Sequence, residues 1–143
     1  MKNLFSRISR SSQGAAAIEL ALVAPALLGM LLGVFQIGIT MQNYNALRSA
    51  TADVARFAAV NYQTANKLSD TQLSNYARSV ATGDQYGLAA SRIAVTVIDA
   101  PSQRISGATE KTITFSYLSP TVLSVIGLPD FAITYSRPVF LLS

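Results

Sequence analysis

The sequence contains no cysteine and no histidine, and only seven of its 143 residues are acidic. Without cysteine the chain can form neither a disulfide nor a thiolate nucleophile, and a zinc site would lack both of its favoured ligands. The absence of histidine removes the most common general base. The composition therefore argues against metal-dependent and histidine-dependent enzymes, and we expect neither a metal nor a cofactor.

Positive charge is concentrated at the N-terminus. Lys2, Arg7 and Arg10 precede any acidic residue, and removing these three from the eleven basic residues leaves eight, against seven acidic ones. A nucleic-acid interface requires a clustered basic patch on the folded part of a protein, and the remaining sequence shows no such cluster. We therefore expect no nucleic-acid partner.

Residues 20–41 form a long apolar run in which only Gln36 and Thr40 are notably polar. As a helix this run would extend roughly 33 Å, enough to cross a bilayer. The run is too long for an ordinary secretory signal and lacks a small-residue cleavage site after it. We therefore predict a transmembrane helix over residues 15–41, and the basic leader favours a cytoplasmic N-terminus.

Small residues recur along one side of this predicted helix. Gly29 and Gly33 form a G-x-x-x-G pair, Ala26 extends the same side by one turn, and Gly38 follows. Small residues at this spacing let another membrane helix approach closely. The spacing favours helix–helix packing through these glycines.

Glu19 is an acidic residue near the start of the apolar stretch, where a charge entering hydrocarbon costs free energy. One interpretation is that its side chain stays hydrated at the headgroup level. The other uses Gly14: cleavage after this glycine would make Ala15 the new N-terminus, four residues before Glu19 and on the same helix face. The carboxylate would then neutralise its own amine or that of a neighbouring subunit.

The basic leader, Gly14, Glu19 at the fifth position after it and the long apolar helix resemble a type IV prepilin. More closely, "GAAAIELALVAPALLGMLLGVFQIG" and the alanine-rich stretch behind it are similar to the TadE-like family, minor pseudopilins of the tight-adherence pilus system. The similarity covers about the first 60 residues. Ala15 replaces the phenylalanine common at this position in other type IV pilins. Leu20 replaces the tyrosine usual after the glutamate in the major tight-adherence subunit, and this points to a minor subunit.

The resemblance implies a structural assembly protein rather than an enzyme, with no catalytic residues. Its implied partners are a prepilin peptidase that cuts between Gly14 and Ala15, other pilin and pseudopilin subunits, the inner-membrane assembly platform and membrane lipid. It also implies a single-pass protein of the bacterial inner membrane, with residues 1–14 removed on the cytoplasmic side. The head would be periplasmic and could enter the extracellular pilus.

Residues 42–63 continue the helical pattern beyond the apolar run. Apolar or weakly polar residues recur at three- and four-residue steps opposite a polar stripe, and we interpret them as facing the protein's own core rather than a seam between subunits. The inward positions are Tyr44, Leu47, Thr51, Val54, Ala58 and Tyr62, and the outward ones are Asn45, Ser49, Asp53 and Arg56.

The sequence of residues 64–143 predicts a small domain in which helices cover one face of a sheet, here called the head. Ser69 and Gln72 form a capping box for a second helix, which Gly83 would end in left-handed geometry. Runs at 92–99, 111–117 and 131–137 alternate in polarity, which predicts an antiparallel sheet covered on one face. A short helix beginning at Ser119 and Pro120 would separate the last two strands, and Pro138 would place the third strand at an edge or end it. The predicted fold is α+β, with the outline of a pilin-like lollipop.

The head contains three acidic residues near strand ends, Asp99, Glu110 and Asp130. We interpret them as turn and surface residues rather than as a paired general acid and base. The main alternative function is an uncleaved, membrane-anchored periplasmic binding domain, in which Glu19 would be replaceable. A membrane-anchored hydrolase is a more distant alternative, opposed by the missing histidine and cysteine.

Overall fold

The computed structural model describes residues 12–64 and 66–142, and the predicted leader residues 1–11 lie outside the described residues. Two helices, α1 (Ser12–Gln63) and α2 (Asp70–Thr82), precede three strands: β1 (Ile93–Asp99), β2 (Ala108–Ser119) and β3 (Phe131–Leu142). Short 3₁₀ turns occupy Ala90–Arg92 and Val122–Ile126. The predicted α+β class is confirmed. The chain divides between Ile37 and Gly38 into two compact units.

Helix α1 is a single element of 52 residues, as the sequence predicts. It continues through Pro25, which has no N–H to donate to the carbonyl of Ala21. Alanine is frequent before this proline and leucine after it, and the high helix propensity of both residue types favours the continuous helix. The apolar run and the amphipathic stretch therefore belong to the same helix.

In the second unit, the inward stripe of α1 packs against α2 and one face of the sheet. Leu47, Thr51, Val54, Ala58 and Tyr62 are all buried, which confirms the interpretation that this stripe faces the protein's own core. The Thr51 hydroxyl donates to the carbonyl oxygen of Leu47 at 2.6 Å, so its burial leaves no unpaired donor. The predicted stripe also included Tyr44, which is half-buried and meets Tyr135 edge-on at 5.7 Å between ring centroids.

Helix α2 begins with the predicted capping box. The Ser69 hydroxyl accepts from the Gln72 amide at 3.2 Å, and the Gln72 side chain accepts from the Ser69 amide at 2.9 Å. The prediction for its other end is wrong, because Gly83 has an extended backbone (φ −68°, ψ 165°). Gly87, with φ 61°, supplies the left-handed turn instead, and its N–H donates to the Gly83 carbonyl at 2.8 Å. The residue with left-handed backbone geometry therefore comes four residues later than predicted.

The three strands form an antiparallel sheet in the order β1-β2-β3. Ile113, Phe115 and Tyr117 of the central strand are buried against the helices, whereas Thr114 and Ser116 point to the opposite face. On that face Thr114 and Ser116 form hydrogen bonds with β3, to Ser136 and Thr134. The period-two prediction of one apolar and one polar face is confirmed.

Two details at the strand ends differ from prediction, and a third decides between two predicted alternatives. β3 continues beyond Pro138, which is tolerated because β3 is an edge strand, so the edge alternative is right. Ser119 belongs to β2 and is fully buried, and Thr121 caps the following 3₁₀ turn, so the predicted helix start is wrong by two residues. Phe131, predicted on the apolar face, is exposed at the first position of β3.

Candidate functional site

The residues predicted for processing lie in the first two turns of α1. Gly14 and Ala15 are already helical, because the helix begins at Ser12. Ala15 and Glu19 are both exposed, and a four-residue step separates them by roughly 6 Å along the axis on one face. Cleavage after Gly14 and pairing of the Ala15 amine with Glu19 stay predictions.

The apolar part of α1 exposes nearly all of its large side chains. The most hydropathic 18-residue window of this helix has a mean hydropathy of 2.2, and none of it is buried. Leucines, valines, isoleucines, methionines and Phe35 are exposed along this segment. Such a surface is typical of a membrane helix, and the exposure of the window distinguishes it from a core helix. The segment is consistent with single-pass membrane anchoring.

The glycines predicted for helix packing take no part in the chain's own packing. A Cβ atom added at Gly29, Gly33 or Gly38 would meet no other group within 4 Å. These positions therefore leave the backbone open to close approach by another helix. Packing of a second helix against them stays a prediction.

The three acidic residues near the strand ends of the head are separate ion-pair partners rather than one cluster. Asp99 pairs with Lys111, Glu110 with Arg104 and Asp130 with Arg92. Hydrogen bonds from Arg92 and from the Thr121 amide lower the pKa of Asp130. No group of three or more metal-ligating side chains occurs in the part of the chain that the structure describes. These pairs serve the fold, since each acid is engaged by a cation from another segment.

Lys111 connects three elements of the head and was missed by the sequence interpretation. Its Nζ lies 2.6 Å from a carboxylate oxygen of Asp70, at the start of α2, and 2.6 Å from one of Asp99, at the end of β1. Burial opposes the charged form, but the hydrogen bonds that Lys111 donates to both aspartates outweigh it and raise the pKa of Lys111. The period-two pattern places Lys111 on the same face as Ile113, which is the signal that it is buried and needs a partner.

Glu110 holds the loop between β1 and β2. Its carboxylate accepts from the Arg104 amide at 3.2 Å and from Arg104 Nε at 2.8 Å. These hydrogen bonds lower the pKa of Glu110. The Arg104 guanidinium also lies 5.2 Å from the Phe140 ring centroid, on β3. The loop is thus tied to both longer strands.

Tyr86 ties the turn after α2 to α1, because its hydroxyl donates to an Asp53 carboxylate oxygen at 2.6 Å. This hydrogen bond, followed by burial and by the charge of Asp53, raises the pKa of Tyr86 to about 12. Because the pKa of Tyr86 is higher in the folded state than in the unfolded state, this group stabilises the fold fully at a pH below its unfolded pKa, near 10. The contribution is lost as the pH rises through its folded pKa, about 12.

Tyr86→Phe should therefore lower the free energy of unfolding by about 1 kcal/mol at neutral pH, after allowance for solvent screening. The difference from wild type should disappear as the pH rises from about 10 to about 12, measured by denaturant unfolding of the full chain in detergent. Tyr76→Phe is the matched control, because it preserves the Asp53–Tyr86 hydrogen bond. A difference that stays constant over this pH range would contradict the assignment.

An open cleft of about 400 Å³ lies between the second half of α1 and α2. Its aromatic lining residues, Phe57 and Tyr76, stack on each other at 3.7 Å between centroids, and its acidic residue, Asp53, is engaged by Tyr86. The volume is at the lower end of the range for ligand pockets. Since these lining side chains already contact one another, we assign the cleft no ligand.

Comparison with known proteins matches the N-terminal part of the chain to one family. Residues 14–56 match the family model TadE, described as TadE-like protein. The match begins at Gly14, includes the whole apolar part of α1 and covers less than one third of the chain. No curated protein and no solved structure matches the chain. Over residues 14–56 the chain is therefore similar to TadE-like proteins.

Proposed function

We propose that this chain is a minor pseudopilin that acts in assembly of a tight-adherence pilus and packs through its N-terminal helix. The observation that carries the proposal is the family match beginning at Gly14, the residue after which the leader would be cut. The exposed apolar surface of α1 supports it, because such a surface has to be covered by lipid or by other helices.

In the proposed processing step, a prepilin peptidase hydrolyses the amide bond between Gly14 and Ala15. The products are a leader with a new carboxyl terminus and a mature chain with a free amine on Ala15. This amine is positively charged near neutral pH. Glu19, one turn away and exposed, provides the opposite charge.

The pairing matters most for assembly. An unpaired charge at the centre of a membrane span costs on the order of 2.5–3.5 kcal/mol, and less near the end of the span. If the Glu19 carboxylate accepts the amine of an adjacent subunit, both charges are neutralised only when the helices are in register. The proposed role of Glu19 is therefore to couple processing to correct packing between subunits.

The leader sets the proposed orientation. Lys2, Arg7 and Arg10 favour a cytoplasmic N-terminus, so residues 42–143 would lie in the periplasm. From the inner membrane the subunit would meet the assembly platform and the other pilins. The folded head distinguishes the chain from the major subunit implied by the resemblance, which is little more than one helix.

The test is the intact mass of the full chain extracted from membranes, with and without co-expressed prepilin peptidase. We expect a peptidase-dependent loss of the mass of residues 1–14, and Gly14→Val should abolish this loss. Gly29→Val is the matched control, because a Cβ at Gly29 meets no other group and processing should be unchanged. An intact leader under conditions that process an authentic prepilin would contradict the proposal and favour an uncleaved, membrane-anchored binding domain.

A further inference from the structure

One end of the head lies close to the point where the apolar run of α1 ends. The Asn43 side-chain amide donates to the Ser119 hydroxyl at 2.8 Å, and Ser119 is the last residue of β2. Asn43 follows the end of the apolar run, Met41, by two residues, or about 3 Å of helix rise. This contact places the end of β2, and with it the start of the β2–β3 connection, beside the residues that follow the apolar run.

The β2–β3 connection, together with its flanking residues 118–131, is here called the tip. Its two sides are joined, because the Asp130 carboxylate accepts from the Thr121 amide at 3.0 Å and Ser119 pairs with Phe131 in the sheet. Arg92 forms an ion pair with Asp130 and also donates to the Leu118 carbonyl. The tip is therefore held in a defined conformation by the end of the sheet.

The tip exposes large apolar side chains. Leu118 is 49% exposed, Ile126 68%, Leu128 43% and Phe131 41%. The charge of Asp130, the acidic residue of the tip, is balanced by Arg92. Apolar side chains in this number, with the local acid neutralised, fit the boundary between lipid headgroups and acyl chains.

We propose that the tip inserts its apolar side chains into the bilayer surface from which α1 emerges, with lipid as the occupant. The argument is one of continuity: the Asn43–Ser119 contact places the tip beside the residues that follow the apolar run of α1. Two attachments, the span and the tip, would fix how the head is oriented on the membrane. The inference rests on the membrane anchoring of the proposed function and does not depend on cleavage after Gly14.

The absence of cysteine allows a direct test in the full chain. Ile126→Cys would be labelled with an environment-sensitive nitrobenzoxadiazole dye, and the protein reconstituted in vesicles of phosphatidylethanolamine and phosphatidylglycerol. Ile105→Cys is the matched control, an exposed isoleucine in the loop at the opposite end of β2. Leu28→Cys reports independently on the membrane span, and Leu128→Cys is a second position in the tip.

The expected result is a blue-shifted emission at positions 126 and 128, with about half of it quenched by a lipid carrying a headgroup spin label, because interfacial side chains lie roughly 5–10 Å deep. The label at position 105 should behave as in water.

Aqueous emission at 126 and 128 with a shielded label at 28 would overturn the inference and leave anchoring intact. Aqueous emission at 28 as well would overturn the anchoring itself. Shielding at 126 that lipid spin labels do not quench, and that grows with protein density, would assign the tip to a neighbouring subunit instead and overturn the lipid assignment.

Discussion

Glu19→Ala should leave removal of the leader unchanged and reduce incorporation of the mature chain into pili by at least about tenfold, equivalent to about 1.4 kcal/mol. The reason is that, under the proposed pairing, the variant would retain the positive amine of Ala15 but lose the carboxylate that neutralises it. The remaining charge enters the packed helices unpaired. The measurement is the ratio of the chain in sheared pili to the chain in membranes, by quantitative immunoblot.

Three variants give this prediction its controls. Ile18→Ala removes an exposed apolar side chain next to Glu19 without changing charge, so incorporation should stay near wild type. Glu19→Gln keeps the shape and loses the charge, and should behave like Glu19→Ala. Glu19→Asp keeps the charge and should retain partial incorporation. Normal incorporation of Glu19→Gln would show that charge is not what this position contributes.

The local features of the fold could be predicted from the sequence because they depend on neighbouring residues. The capping box needs only Ser69 and Gln72, and the apolar face of β2 follows from the alternation of Ile113, Phe115 and Tyr117. The spacing of Gly14 and Glu19 is likewise local, because any helix places the residue after the glycine on the same face as the acid.

Features that depend on distant partners could not be predicted in the same way. β2 begins at Ala108 rather than at 111, because the buried residues Glu110 and Lys111 receive partners from the preceding loop and from α2. The predicted strand began at Lys111 and left out Glu110, since the sequence alone does not show that Arg104 meets Glu110 in space. These two charged residues can be buried because each has an ion-pair partner in the folded protein, which their polarity alone does not indicate.

The tip shows the same limit of prediction from sequence. Its apolar residues are visible in the sequence, but their proposed insertion into the bilayer surface is argued from the contact between Asn43 and Ser119, which are 76 positions apart. The predicted helix start at Ser119 was wrong because pairing with Phe131 and the hydrogen bond from Asn43 stabilise Ser119 in the strand. A local capping pattern was overridden by tertiary contacts.

The second large effect concerns the N-terminal helix as a whole. If residues 15–41 served only to hold the head in the membrane, any apolar helix of equal length would replace them. If they pack against other subunits, the replacement would lose the Ala15 amine, the Glu19 charge and the glycine positions together. We expect a chimera with an unrelated leucine-alanine span, joined to residues 42–143, to reach membranes at the wild-type level and to support less than about one tenth of wild-type pilus assembly.

The measurement that tests the central claim most directly is the amount of sheared pili from cells that lack their own copy of this chain and express either the wild type or the chimera. Membrane levels of the two proteins are matched by immunoblot before the pili are compared. Restoration of pili by the wild type alone is the predicted result, and it would identify the N-terminal helix as an assembly element. Full restoration by the chimera would contradict this account and show that the helix acts as an anchor only.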